Sequence, residues 1–70
     1  MSGEPALPVR LSDSGRTATW NLALTRARVV ELEVRLPDGS LARRGARNSG
    51  RARVRAGERI ERVYPAAPGG

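Results

Sequence analysis

Arginine is the one residue type in this chain that is both abundant and chemically active. All 13 basic residues are Arg, set against 7 acids, and there is no His, Cys or Lys. General acid–base and nucleophilic catalysis need a base poised near neutral pH, or a nucleophile beside one. The 7 carboxylates, a few hydroxyls and Tyr64 are all that remain for such work. Glu31 and Glu33 alternate with apolar residues and so read as the solvated face of a strand, while Asp13 and Asp38 sit in turn sequences that bond their own backbone. No spacing resembles a calcium loop, a Lys-dependent phosphate loop is excluded, and no Gly-x-Gly-x-x-Gly occurs. The chain is expected to be no enzyme and to need no metal or cofactor.

What arginine does well is bond phosphate or carboxylate through a planar fork. The distribution of charge says where. Residues 1–42 carry as many acids as arginines, whereas residues 43–64 hold Arg43, Arg44, Arg47, Arg51, Arg53, Arg55, Arg59 and Arg62 against Glu58 and Glu61 alone. The whole formal net charge of +6 therefore lies in the last third. GC-rich codon usage can account for Arg in place of Lys, but not for this imbalance. Residues 42–53 contain five arginines, no acid and no large apolar group. That composition resembles the arginine-rich segments that order on RNA or DNA and predicts a long mobile loop. Arg43, Arg44, Arg47, Arg51 and Arg53 within it are the expected phosphate contacts, with Arg55 beyond it extending the patch on one strand face with Arg51 and Arg53. Aromatics are nearly absent, with one Trp, one Tyr and no Phe. Trp20 reads as the largest core side chain and Tyr64 as a cover at the core's end, so base stacking is not expected. Asn48 is the one loop side chain suited to an adenine edge.

The elements that must hold these arginines follow from period-2 alternation. Trp20, Leu22 and Leu24 alternate with smaller or polar residues, and Val30, Leu32, Val34 and Leu36 alternate with Glu31, Glu33 and Arg35. Leu22–Leu36 is also built from good helix formers, but a helix puts Val30 and Val34 on a different side from Leu32, so strands are predicted. Ser12–Gly15 reads as the turn between Val9–Leu11 and a strand starting near Arg16. Pro37-Asp38-Gly39-Ser40 predicts a four-residue connection with Leu36 opposite Leu41 and Glu33 opposite Arg44. Asn48–Gly50 marks another turn. A three-residue loop over Ala56–Glu58 predicts a last hairpin with Val54 opposite Ile60, a short C-terminal helix over Glu58–Tyr64 being the competing reading.

The expected fold is all-β, a small barrel or strongly curled antiparallel sheet of five or six short strands. It comprises one domain over residues 9–64, with flexible tails at 1–8 and 65–70. Leu, Ile, Val and Phe make up only 14 of 70 residues, so the core is thin and a partner is a natural source of added stability. No segment approaches the ~20 apolar residues of a membrane span, and the N-terminus has no signal-peptide pattern, which leads to a cytoplasmic expectation. Two functions fit. The first is a non-enzymatic basic module contacting nucleic-acid phosphates through the Arg-rich segment. The second is a small structural or assembly subunit, a virion component or adaptor, that docks on an acidic protein or on a second copy of itself.

Overall fold

A computed structural model describes residues 5–66. The chain is all-β: β1 (Arg10–Leu11), β2 (Thr17–Thr19), β3 (Val29–Arg35), β4 (Leu41–Arg47), β5 (Arg51–Arg53) and β6 (Arg59–Pro65). These strands form two three-stranded antiparallel sheets, ordered β1-β2-β5 (sheet A) and β4-β3-β6 (sheet B). The expected barrel does not close. The sheets instead face each other across a core to which sheet A contributes Ala18, Ala52 and the flanking Trp20 and Val54, and sheet B contributes Val30, Leu32, Val34, Ile60 and Val63. Each of the larger aliphatic groups buried there supplies roughly 1.5–3 kcal/mol.

The alternation in Val29–Arg35 places Val30, Leu32 and Val34 inward and Glu31 and Glu33 outward, as the sequence predicts. The turn at Ser12–Gly15 also forms where expected. The Ser12 hydroxyl accepts from the Thr17 amide at 3.1 Å, and the Gly15 amide donates to the Ser12 carbonyl at 2.8 Å.

Other expectations need correction, each for a local reason. Trp20 is buried, but the strand predicted through Leu24 is a 3₁₀ turn over Leu22–Leu24, with Leu22 and Leu24 exposed. Asn21 causes the change: its side chain accepts from the Ala23 amide at 2.9 Å and its carbonyl from the Leu24 amide at 3.0 Å, which caps a helical turn where the alternation calls for a strand. The β3–β4 register is one residue off the predicted one, with Arg35 opposite Leu41 and Glu33 opposite Arg43. Gly39 is responsible. At φ +90° it adds a left-handed residue to the turn, so the Leu36 amide meets the Ser40 carbonyl at 2.8 Å and the loop holds three residues instead of four.

The long loop predicted over residues 42–53 is mostly strand. Residues 41–47 form β4 and residues 51–53 form β5, joined by a short turn. A strand flanked by an apolar neighbour needs few large side chains of its own, because its ladder bonds and cross-strand ion pairs come from β3. The last hairpin is absent too. Val54 and Ile60 both bond to the β1–β2 region, through the Arg16 and Gly15 carbonyls, and β5 and β6 diverge into different sheets. Residues 59–65 are a strand, not the competing C-terminal helix, with Glu61 bulged out of the ladder where Glu33 pairs with Arg62 and Val34 with Ile60.

Of the predicted tails, residues 1–4 and 67–70 lie outside the described residues. Leu7 is buried and its amide donates to the Val63 carbonyl at 2.8 Å, while Pro65 ends β6 opposite Val30. No helix among the described residues is long and apolar enough to cross a membrane.

Candidate nucleic-acid interface

The six arginines predicted to act together are distributed over three places. Arg43 and Arg47 point outward from β4 on the outer face of sheet B, where Arg43 is opposite Glu33 and one step from Glu31. Its guanidinium donates to Glu31 Oε1 at 3.0 Å and lies 5.1 Å from the centre of the Tyr64 ring. The same face holds Arg62 on Glu33 Oε1 at 2.7 Å and Arg35 against Glu61 at 3.5 Å. The bond to Glu33 raises the Arg62 pKa above the ordinary guanidinium value.

Arg44 faces the other way. The one-residue register change turns it to the inner side of sheet B, on the row of Leu32, where it meets Glu58 from the turn between β5 and β6. The pair is bidentate, with Nη1 to Oε1 at 2.8 Å and Nη2 to Oε2 at 2.6 Å, and the Arg55 amide adds a third bond to Oε1 at 3.1 Å. Glu58 is the one buried charged residue among the described residues, only 8% exposed. The Arg44 fork first, and then the Arg55 amide, together pull its pKa down to about 2 against the opposing effect of desolvation. Arg44 is thus a structural clamp. Arg55 stands exposed at the corner of that turn.

Arg51 and Arg53 lie on the outer face of sheet A. The register places Arg51 opposite Thr19 and Arg53 opposite Thr17, while on the far side of β2 Arg10 is opposite Thr19. Residues directly opposite in a ladder share a face, so Arg10, Thr19 and Arg51 form one row and Thr17 and Arg53 begin the next. Strand geometry sets Arg51 and Arg53 ~7 Å apart along β5 and Arg10 ~10 Å from Arg51 across the sheet. None of the strand residues of sheet A is acidic. Among the described residues, Arg10, Arg51 and Arg53 form no salt bridge, and neither do Arg47 and Arg55.

Sequence reasoning omitted Arg10 and the two threonines. Their signal was the Thr17-Ala18-Thr19 alternation next to a recognised turn, which puts Ala18 inward and carries the hairpin partner Arg10 outward. The residue singled out for an adenine edge is committed elsewhere. Asn48 Oδ1 accepts from the Trp20 indole at 2.8 Å, and Asn48 Nδ2 donates to the Ala27 carbonyl at 2.7 Å. Trp20 is buried and Tyr64 lies under Arg43, so neither presents a free ring for stacking.

No family model matches the chain, and no curated protein or solved structure matches it either.

Proposed function

We propose that this chain is a non-enzymatic, cytoplasmic module that binds the phosphate backbone of nucleic acid on the outer face of sheet A. Arg51, Arg53 and Arg10 make the charged contacts, and the hydroxyls of Thr17 and Thr19 lie between them as further donors. The observation that carries the reading is the absence of any acid on those strands, where the arginine-rich face of sheet B has a carboxylate for most of its guanidinium groups. Arg47 lies on the outer face of sheet B and Arg55 at the turn between β5 and β6, so neither is among the three contacts. Arg43 and Arg44, already engaged by Glu31 and Glu58, are not assigned to it.

Such a site reads charge and spacing. Without a free aromatic ring or an uncommitted amide side chain it has little means of reading bases, so binding is insensitive to sequence. The test is a salt titration with a short DNA duplex. Three phosphate contacts give a slope of log K on log salt near −2.7, which is about a 40-fold loss of affinity between about 50 and 200 mM salt. Duplexes of different sequence and equal length should bind alike. No binding at the lowest salt, or a slope near zero, would sink the reading.

A further inference from the structure

Sheet B ends in an unpaired strand. β4 spans seven residues and pairs on one side only, with β3. The ladder is anchored by the Leu36 amide on the Ser40 carbonyl at one end and the Asn48 amide on the Arg28 carbonyl at the other. Hydrogen-bonded pairs alternate in an antiparallel ladder, so Ala42, Arg44 and Ala46 bond toward β3, and Leu41, Arg43 and Gly45 turn their amides and carbonyls away from it. Those groups have no backbone partner among the described residues. The opposite edge of sheet B differs, since Leu7 bonds to β6, and the edges of sheet A are strands of only two and three residues. β4 is therefore the long open edge. It has no proline, and at its middle the exposed Gly45 leaves the backbone accessible.

We infer that the outer edge of β4 is a docking site for an extended segment of a partner protein that carries acidic side chains at alternate positions, added as a fourth strand of sheet B. Charge chooses this occupant. A second copy pairing antiparallel on the same edge sets Arg43 against Arg43, or Arg44 against Arg44, and brings arginine onto arginine, since β4 itself carries no acid to offer. An acidic strand is what β4 already accepts on its inner side, where β3 offers Glu31 and Glu33 outward and Arg43 takes Glu31 at 3.0 Å. A new strand with the same alternation sets its acids beside Arg47, which has no carboxylate partner among the described residues, and beside Arg43, whose Nη2 Glu31 leaves free, and lays its apolar residues beside the half-buried Ala42 and Ala46. Main-chain bonds along the edge supply affinity, and the arginines select the partner. This surface is distinct from the outer face of sheet A, and its fate does not depend on the nucleic-acid reading.

The experiment uses the whole chain and a synthetic peptide as long as β4 that alternates glutamate with valine. Binding is followed by fluorescence anisotropy, and the contact surface by amide chemical shifts. Gly45→Pro removes an outward amide without touching the β3 ladder. The new Cβ meets only Val29 Cγ1 at an ordinary 3.8 Å, and a proline is tolerated where the amide of an edge strand faces solvent. Expected results are peptide binding with shifts centred on residues 41–47, loss of binding in Gly45→Pro, and retention in Gly45→Ala. A peptide with lysine in place of glutamate should not bind. Should Gly45→Pro not fold, as judged by circular dichroism, the double variant Arg43→Glu, Arg47→Glu tests the same edge and is expected to lose the acidic peptide. Retention of the acidic peptide in Gly45→Pro or in the double variant, or shifts centred on sheet A, would overturn the proposal. So would a homodimer that Gly45→Pro dissolves, which assigns the edge to a second copy.

Discussion

The outer faces of the two sheets are both rich in arginine, but only on sheet B is most of that charge compensated. On sheet B, Arg35, Arg43 and Arg62 lie against Glu61, Glu31 and Glu33 at 3.5, 3.0 and 2.7 Å. On sheet A, Arg10, Arg51 and Arg53 flank two threonines, and the strands hold no acid. A count of arginines does not separate the faces; the strand pairing does. β3 brings its glutamates between β4 and β6, where they take Arg43 and Arg62, while β2 brings threonines between β1 and β5 and takes none of their arginines. The charge available to a ligand is the charge that the registers leave uncompensated.

Exchanging the roles of the two faces gives the largest expected effect. Replacing Arg10, Arg51 and Arg53 together by Ala should remove the measured salt slope almost entirely, about 0.9 for each arginine, and with it the affinity for duplex. The matching triple change of Arg35, Arg43 and Arg62 removes the same formal charge. It should leave most of the slope in place, because those guanidinium groups already have carboxylate partners. Equal losses from the two triples, measured by anisotropy across a salt series, would mean that only overall charge matters and would erase the distinction.

A second comparison sets Arg44 against its neighbour Arg43. Both are ion-paired, but Glu31 is solvated while Glu58 is only 8% exposed. Surface pairs contribute little, whereas a buried carboxylate stripped of its cation is costly. Arg44→Ala should therefore lower Tm clearly and Arg43→Ala hardly at all, with neither changing duplex affinity much. Glu58→Gln should cost less than Arg44→Ala, since a neutral amide needs no cation and its oxygen still accepts from the Arg55 amide. A thermal melt of the three variants checks the order.

The same pair sets an acid limit on stability. Glu58 has its folded pKa depressed to about 2, from an ordinary value of 4.5. A depressed carboxylate contributes stability that is fully present above the unfolded value and is lost as pH falls through the folded one. Asp38, lowered by the Ser40 hydroxyl, acts in the same direction. Tm should hold above pH ~5 and then fall progressively toward pH ~2. In Glu58→Gln that acid-dependent fall should be smaller. An unchanged acid profile in the variant would show that Arg44 does not hold Glu58 ionised.

These contrasts explain how far the sequence could be read. β3 was legible because its alternation is strict and one face is apolar, and the turn at Ser12–Gly15 because Ser and Gly have few other roles in that setting. The strand character of β4 was not legible, since Ala-Arg-Arg-Gly-Ala-Arg has no apolar stripe and its support comes from β3. Within the arginine cluster, position along the chain showed that charge was concentrated but not which guanidinium groups had partners. That depended on a register set by one glycine. Asn48 misled for a related reason: a polar side chain in a turn sequence looks free until the buried Trp20 indole is found to need an acceptor.

The smallest expected effect tests that glycine. Gly39 sits at φ +90°, a conformation that costs other L residues roughly 1–2 kcal/mol. A Cβ there meets nothing within 4 Å, so Gly39→Ala isolates the backbone cost without a clash. At Gly15 the same substitution drives Cβ to 2.6 Å from the Arg59 side chain as well, and should cost more. Gly39→Asn should recover part of the loss, because Asn enters the left-handed region more readily than Ala. The expected series in Tm is wild type, then Asn, then Ala, with about 4–8 °C lost for each kcal/mol in a domain of this size. Affinity for duplex should stay at the wild-type level throughout, because the turn acts on sheet B and the proposed contacts are on sheet A. If Gly39→Ala instead moved the β3–β4 pairing by one residue, Arg44 would leave Glu58 and Arg43 would turn inward. Loss of the Glu33–Arg43 cross-strand contact in amide exchange and nuclear Overhauser data would reveal it, and would show that the turn holds the register only by a narrow margin.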